Sequence, residues 1–223
     1  MLYIFRERIP CVLLCATASY FCRTIAADSK ALYAVDIAPP LDVFDARCLN
    51  ISARLGVELF MLPFSPNLWD GWQQVDKLYN GLRGCKISVK RVWLVIASPS
   101  TWYFDIQQNN WFIKQVIDKA REYKIDVGIY TKEIEWMQIT GGYVTFTSTP
   151  LLWYWNIKNP GPLGETSINF ADFRPFDPWK APTVKQFGQR VSVCGRMVNR
   201  DIYFATFQRT SRNVSTIGDA TFQ

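Results

Sequence analysis

The sequence predicts an α/β fold: a modified, irregular β/α barrel with strand-helix units in its first half and strands and loops in its second. Two observations lead there. Apolar strand patterns alternate with stretches of helical spacing through three successive units, which implies right-handed parallel crossovers. After Tyr130 the alternation stops, and aromatic strand patterns follow one another through loops rich in Gly, Pro and Asn with no long helical stripe between them.

The chain has 223 residues, 49% of them hydrophobic, enough to bury one sizeable core without metals or dense crosslinking. It opens with Arg6 and Arg8, an apolar run from Ile9 to Cys22, then Arg23 and the small-residue exit Thr24-Ile25-Ala26-Ala27. This is the pattern of a secretory signal peptide cleaved near Ala26 or Ala27. The alternative is a buried first helix or a membrane anchor, but Arg23 interrupts the run, which is shorter than the roughly 18 residues a span requires. The expected division is a signal peptide over 1–27, a barrel domain over 28–207 and a polar tail over 208–223 that frays.

Removing residues 1–27 takes away three arginines, one glutamate and three of the six cysteines, leaving a formal charge of +4. That excess suits an anionic glycan partner and equally suits mere solubility. Cys48, Cys85 and Cys194 remain, so one disulfide and one free or intermolecular thiol are expected in an oxidising compartment, with the pairing open. The chain has no histidine. It therefore lacks the usual general base of a Ser or Cys nucleophile and the commonest metal ligand. No metal, cofactor, nucleic-acid partner or membrane span is expected, and the protein reads as a monomer. Two N-glycosylation tripeptides, at Asn50 and Asn213, are consistent with export.

Along the mature chain, Leu32–Ile37 reads as a buried strand stopped by Pro39 and Pro40. Val43, Phe44, Leu49, Ile51 and Leu55 give residues 42–55 helical spacing, closed by Gly56. Val57–Leu62 is a second strand and Trp69–Leu82 a second helix ending at Gly84. Lys90–Ala97 is a third strand, continuously apolar in its last six residues, as for a strand buried on both faces, with helices expected on both sides. A third helix over 106–123 carries the stripe Trp111, Ile113, Val116, Ile117 and Ala120 and delivers the strand Ile125–Tyr130. Leu151–Trp155, Thr183–Phe187 and Asp201–Phe204 read as the strands of the second half.

Several pieces then line up with one family: Tyr33-Ala-Val-Asp36, Gln73-Gln-Val75, Trp93-Leu-Val-Ile-Ala97, Val127-Gly-Ile-Tyr-Thr131, Ile139-Thr-Gly-Gly-Tyr143, Leu152-Trp-Tyr154, Lys180–Phe187 and Val198-Asn-Arg-Asp201. In this order they resemble the glycoside hydrolase family 25 lysozymes, specifically the nematode branch, over residues 31–205. The resemblance implies a modified β/α barrel that cleaves the β-1,4 bond of peptidoglycan with acidic residues gathered at the strand ends, a protonated carboxyl donating to the leaving oxygen. It places two family acids on Asp36 and Asp201. The central Asp-x-Glu pair falls on Val95 and Ala97, both apolar.

An aliphatic pair supplies neither the proton donor nor its charged neighbour, and general acid catalysis alone is worth about 10²–10⁴-fold. The resemblance therefore implies a secreted lysozyme-like protein of impaired activity, with peptidoglycan or a related glycan as partner. Asp105 is the nearest acid in sequence. Between Cys48 and Met61 the family inserts a further strand-helix unit of about 30 residues, so the barrel is expected to lack one unit or to be rearranged. Tyr130, Trp153 and Tyr154 are candidate sugar-binding residues, because aromatic faces stack on sugar rings, although dense aromatic strands are also core. Alternation puts Trp153 and Trp155 on one face and Tyr154 on the other, so only one set can face a groove. Without the resemblance, Asp36 reads as a carboxylate fixing a strand end and Asp201 as a surface charge paired with Arg200 or a neighbouring basic residue.

Overall fold

The computed structural model describes residues 59–63, 70–84, 87–193 and 196–203, together with the backbone of 32–36 and 220–222. The signal segment 1–27, the helix expected over 42–55, the shortened connection before Met61, Cys48, Cys85 and Cys194, and the tripeptides at Asn50 and Asn213 lie outside the described residues.

The strands are β1 Leu32–Asp36, β2 Leu59–Met61, β3 Ile87–Val89, β4 Arg91–Val95, β5 Asp126–Tyr130, β6 Leu152–Trp155, β7 Val184–Val193, β8 Arg196–Tyr203 and β9 Ala220–Phe222. The helices are α1 Gly71–Gly84, α2 Ile106–Glu122 and α3 Glu133–Thr140. One seven-stranded sheet runs in the order β1-β8-β7-β6-β5-β4-β2 and curls into a half-barrel. β2, β4, β5, β6 and β7 are mutually parallel, and β8 is antiparallel to both β7 and β1. β1 therefore runs with the parallel set, and the carboxyl ends of six strands share one rim. The expected α/β architecture, an irregular barrel of strand-helix units followed by strands and loops, is the one observed.

The two long helices each bury one stripe against the outside of this sheet. From α2 the stripe is Phe112, Ile113, Val116 and Ala120, at the i, i+1, i+4, i+8 spacing of a single helical face. The helix starts at Asp105, whose carboxylate accepts the Gln107 N–H at 2.8 Å. Asn109 is fully buried on the same helix. Its Nδ2 donates to the carbonyls of Tyr103 and Ile139, both at 2.9 Å, and its Oδ1 accepts the Tyr103 N–H at 3.1 Å. One side chain thus ties α2 to its own entry loop and to the end of α3.

Four expectations need correction. The third strand is apolar from Val92 onward, yet helices cover only one of its faces: Val92, Leu94 and Ile96 meet them, while Trp93 faces the inside of the curl against Trp153, at 5.2 Å between ring centroids. The concave side of a curled sheet buries its own residues, so a second helical layer is unnecessary. Gly128 makes room for this packing, since a Cβ there would lie 2.4 Å from the Trp93 ring. Next, α3 is a helix within the half read as strands and loops. β3, not foreseen, pairs with β9, so Ala220–Phe222 of the tail expected to fray forms a strand. Finally, Asp201 is fully buried and Arg200 pairs with Glu165 at 2.8 Å, so the reading of Asp201 as a surface charge does not hold.

Candidate functional site

The inner face is laid down in cross-strand rows. One row reads Val95, Tyr130, Trp153, Val184, Tyr203 and Leu32 across six strands. One step toward the rim the row reads Trp155, Gln186, Asp201 and Ala34, and Asp36 stands beyond it, opposite Asn199. The side chain of Asp36 lies outside the described residues. By register its position is at the carboxyl end of β1, two residues past the Ala34–Asp201 pair.

Asp201 is held from below. The Trp153 indole N–H donates to its Oδ1 at 3.1 Å, and both side chains are fully buried. Trp153 is itself wedged among Phe60, Trp93 and Tyr130, with centroid distances of 4.6, 5.2 and 5.5 Å. It is thus a wall of the inner core that orients a carboxylate. Tyr130 is half-buried at the same level; its hydroxyl donates to Gln186 Oε1 at 3.1 Å, and its ring stacks on Trp155 at 4.7 Å and 14°. Lys132 Nζ stands 5.3 Å from the Trp155 ring centroid. Tyr130, Trp155 and Lys132 form a half-buried aromatic and polar surface at the rim, with Gln186 fully buried behind Tyr130. Such a surface stacks against a sugar ring and hydrogen-bonds its hydroxyls.

Tyr154 lies on the other face, buried against Phe170 and Phe173, with its hydroxyl donating to Asp172 at 2.9 Å. Burial and that hydrogen bond push its phenol well above the ordinary tyrosine range. The structure therefore brings Tyr130, Trp153 and Asp201 together and separates Tyr154 from them.

Val95 and Ala97 sit at the end of β4, both half-buried, where the resemblance expects acids. Ala97 contributes only its carbonyl, which accepts the Trp102 indole N–H at 3.0 Å. Asp105, the nearest acid in sequence, is occupied in capping α2. A carboxyl does approach from elsewhere. Glu135, in the first turn of α3, accepts a hydrogen bond from the backbone of Ser98, the residue after Ala97, and its Oε2 is buried with no partner among the described residues. Burial raises the Glu135 carboxyl above its ordinary value, against the lowering effects of Lys132 and of the Ser98 bond. Sequence reasoning missed Glu135 because the helix that carries it is short. No group of His, Cys, Asp and Glu suited to a metal occurs among the described residues. No helix among them is long and apolar enough to cross a membrane.

The family model described as lysozyme-like protein 1 matches residues 50–187. Lysozyme-like protein 2 of Caenorhabditis elegans is 44% identical over 72% of this chain and 59% of its own length, and lysozyme-like protein 1 of the same organism is 38% identical over 79% and 70%. A probable glycoside hydrolase family 25 lysozyme 2 of Dictyostelium discoideum is 30% identical over 74% of this chain and 72% of its own. The chain thus spans about six-tenths of the first of these relatives. Among solved structures, the Clostridium perfringens spore cortex lytic enzyme SleM aligns with a TM-score of 0.48 at 14% identity, over 71% of this chain and 51% of that one.

Proposed function

Since the chain belongs to the lysozyme-like proteins of glycoside hydrolase family 25, we propose that it is a secreted, muramidase-derived protein of innate defence that binds peptidoglycan or a related cell-wall glycan and hydrolyses it poorly or not at all. The observation that carries this reading is the aliphatic end of β4. Val95 and Ala97 stand at a rim that otherwise holds half-buried Tyr130 and Trp155 with the fully buried Asp201 behind them, so the rim keeps aromatic groups that suit a sugar while lacking the two acids the reaction needs. Asp36 and Asp201 are the acids retained.

The purified mature protein is expected to be retained on insoluble peptidoglycan in a pull-down and to leave a suspension of bacterial walls turbid. Robust clearing that Asp36→Asn abolishes would overturn the impairment. Failure to be retained would instead favour a non-catalytic interaction protein that has left sugars behind. Introducing Val95→Asp with Ala97→Glu is expected to raise wall hydrolysis if the rest of the scaffold is intact.

Glu135 favours a second reading, an active lysozyme with a relocated acid. A carboxyl held above its ordinary value stays protonated nearer neutral pH, as a proton donor must. On that reading wall hydrolysis is measurable, falls on the alkaline side of its pH profile, and is lost in Glu135→Gln without loss of peptidoglycan retention.

A further inference from the structure

At the end of the sheet opposite Asp201 and Trp155, the amino ends of β4 and β5, the last turn of α2 and the loop before β6 line a cavity of about 640 Å³ that is open to solvent. That volume lies in the range of sites that hold small ligands, roughly 300–1,000 Å³.

Its charge is lopsided. Arg91, Arg121 and Lys124 line it against a single carboxylate, Asp126. Arg91 and Asp126 are cross-strand neighbours, so they offset one another locally. Arg121 has one acidic contact, Asp118 at 3.4 Å, in a pair exposed on both sides and so held weakly. Cations in the last turn of a helix are an ordinary complement to its dipole. Lys124 stands in the left-handed position, φ 59°, that ends the helix, its N–H donating to the Arg121 carbonyl and the Ile125 N–H to that of Ala120. One further feature points to a ligand. The opposite wall offers a half-buried aromatic ring, Phe146, beside the exposed hydroxyl residues Ser148 and Thr149.

We propose that this cavity binds an acidic sugar of one or two rings. Arg121 and Lys124 take its carboxylate, Phe146 takes the apolar face of the ring, and Ser148 and Thr149 take its hydroxyls. A neutral sugar leaves Arg121 with only its weak Asp118 contact and gives Lys124 no counter-charge, and a bare inorganic anion leaves the aromatic wall and most of the volume unused. The site is separate from the rim at the carboxyl ends of the strands, and its occupancy does not depend on what that rim does.

The test is an amide chemical-shift titration of the full chain with glucuronic acid, glucose and inorganic phosphate. Glucuronic acid is expected to shift the amides of Lys124, Ser148 and Thr149 saturably, glucose to leave them in place, and phosphate to act at least about tenfold more weakly. The double variant Arg121→Gln/Lys124→Gln, both exposed positions that keep the fold, is expected to weaken glucuronic acid by about tenfold or more. The absence of saturable shifts, equal affinity for glucose, equal affinity for phosphate, or unchanged binding by the double variant would each overturn the proposal.

Discussion

Over β4 and β5 the outer face of the sheet is covered by helices, whereas over β6 and β7 it is covered by residues 156–183, a segment whose one regular element is the 3-10 turn Pro162–Gly164. A helix satisfies its backbone internally and needs only an apolar stripe; α2 delivers Phe112, Ile113, Val116 and Ala120 in that way. A loop has no internal ladder and must find partners for its backbone elsewhere. Here they come from turns within the segment, from the strand backbones at Leu152, Gln186, Phe187 and Gln189, and from Lys185 on β7, a fully buried cation. Its Nζ donates to the carbonyls of Ser167 and Asn169 at 2.7 and 3.0 Å and to Asp172 Oδ2 at 2.7 Å. Asp172 also accepts Tyr154 and Asn156. With the loop held, Phe170, Phe173, Phe176 and Trp179 pack against the sheet where a helix would have lain. Hydrophobic surface does the covering in both halves, but in one half a buried charged side chain helps to tie the covering segment to the sheet.

Breaking that side chain is the strongest test of the contrast. Lys185→Met takes the cation from Asp172, which keeps Tyr154 and Asn156, and leaves two loop carbonyls without that donor; it is expected to cost about 2–3 kcal/mol in urea unfolding. Loop amides should lose hydrogen-exchange protection before those of α2. The double variant Lys185→Met/Asp172→Leu should recover part of the loss, because it removes the stranded charge as well; no recovery would mean that the carbonyl contacts, and not the ion pair, hold the loop.

Acid should separate the halves next. Burial pushes the Asp172 carboxyl up, but the hydrogen bonds from Lys185, Tyr154 and Asn156 prevail and hold it below its ordinary value. Its ionised form therefore stabilises the fold; the contribution is full above the ordinary carboxylate pKa and is lost as pH falls below about 4. Exchange measured between pH 5 and pH 3 should show the loop loosening first, and Asp172→Asn should flatten that dependence.

In the helical half, Asp105→Ala removes the cap of α2 and is expected to cost about 1 kcal/mol, read as fraying of its first turn with the loop over β6 unchanged. The smallest effect belongs to Arg200→Gln. Its pair with Glu165 is partly exposed, and about 0–1 kcal/mol is expected in the same unfolding assay.

The same division decided what could be read from the residues. α1 and α2 were legible because a long helix writes its buried face into the spacing. α3 was not. It has eight residues, and its apolar side chains lie both in and out, Trp136 and Ile139 buried but Ile134 and Met137 exposed, so no stripe survives. The path of 156–183 was illegible for another reason: Lys185 reads as one more charge in a strand until the chain folds back and closes around it. The pairing of β3 with β9 joins segments more than a hundred residues apart and leaves no local pattern.

At the rim, period-two alternation was enough to part Trp153 from Tyr154. The burial of Asp201 against the Trp153 indole depends on register across β6, β7 and β8, which no single strand records. Glu135 had no signal at all, because a carboxyl in the first turn of a helix usually complements the helix dipole.

Gly128 carries a consequence for how this sequence can change. The space its missing Cβ leaves is filled by the Trp93 ring, so positions 93 and 128 share one fixed volume. A larger residue at 128 can be admitted only together with a smaller one at 93, and the Trp153 ring that leans on Trp93 would have to follow. Redesign of the rim around Asp201 therefore has its freedom limited one layer down, by a residue with no side chain.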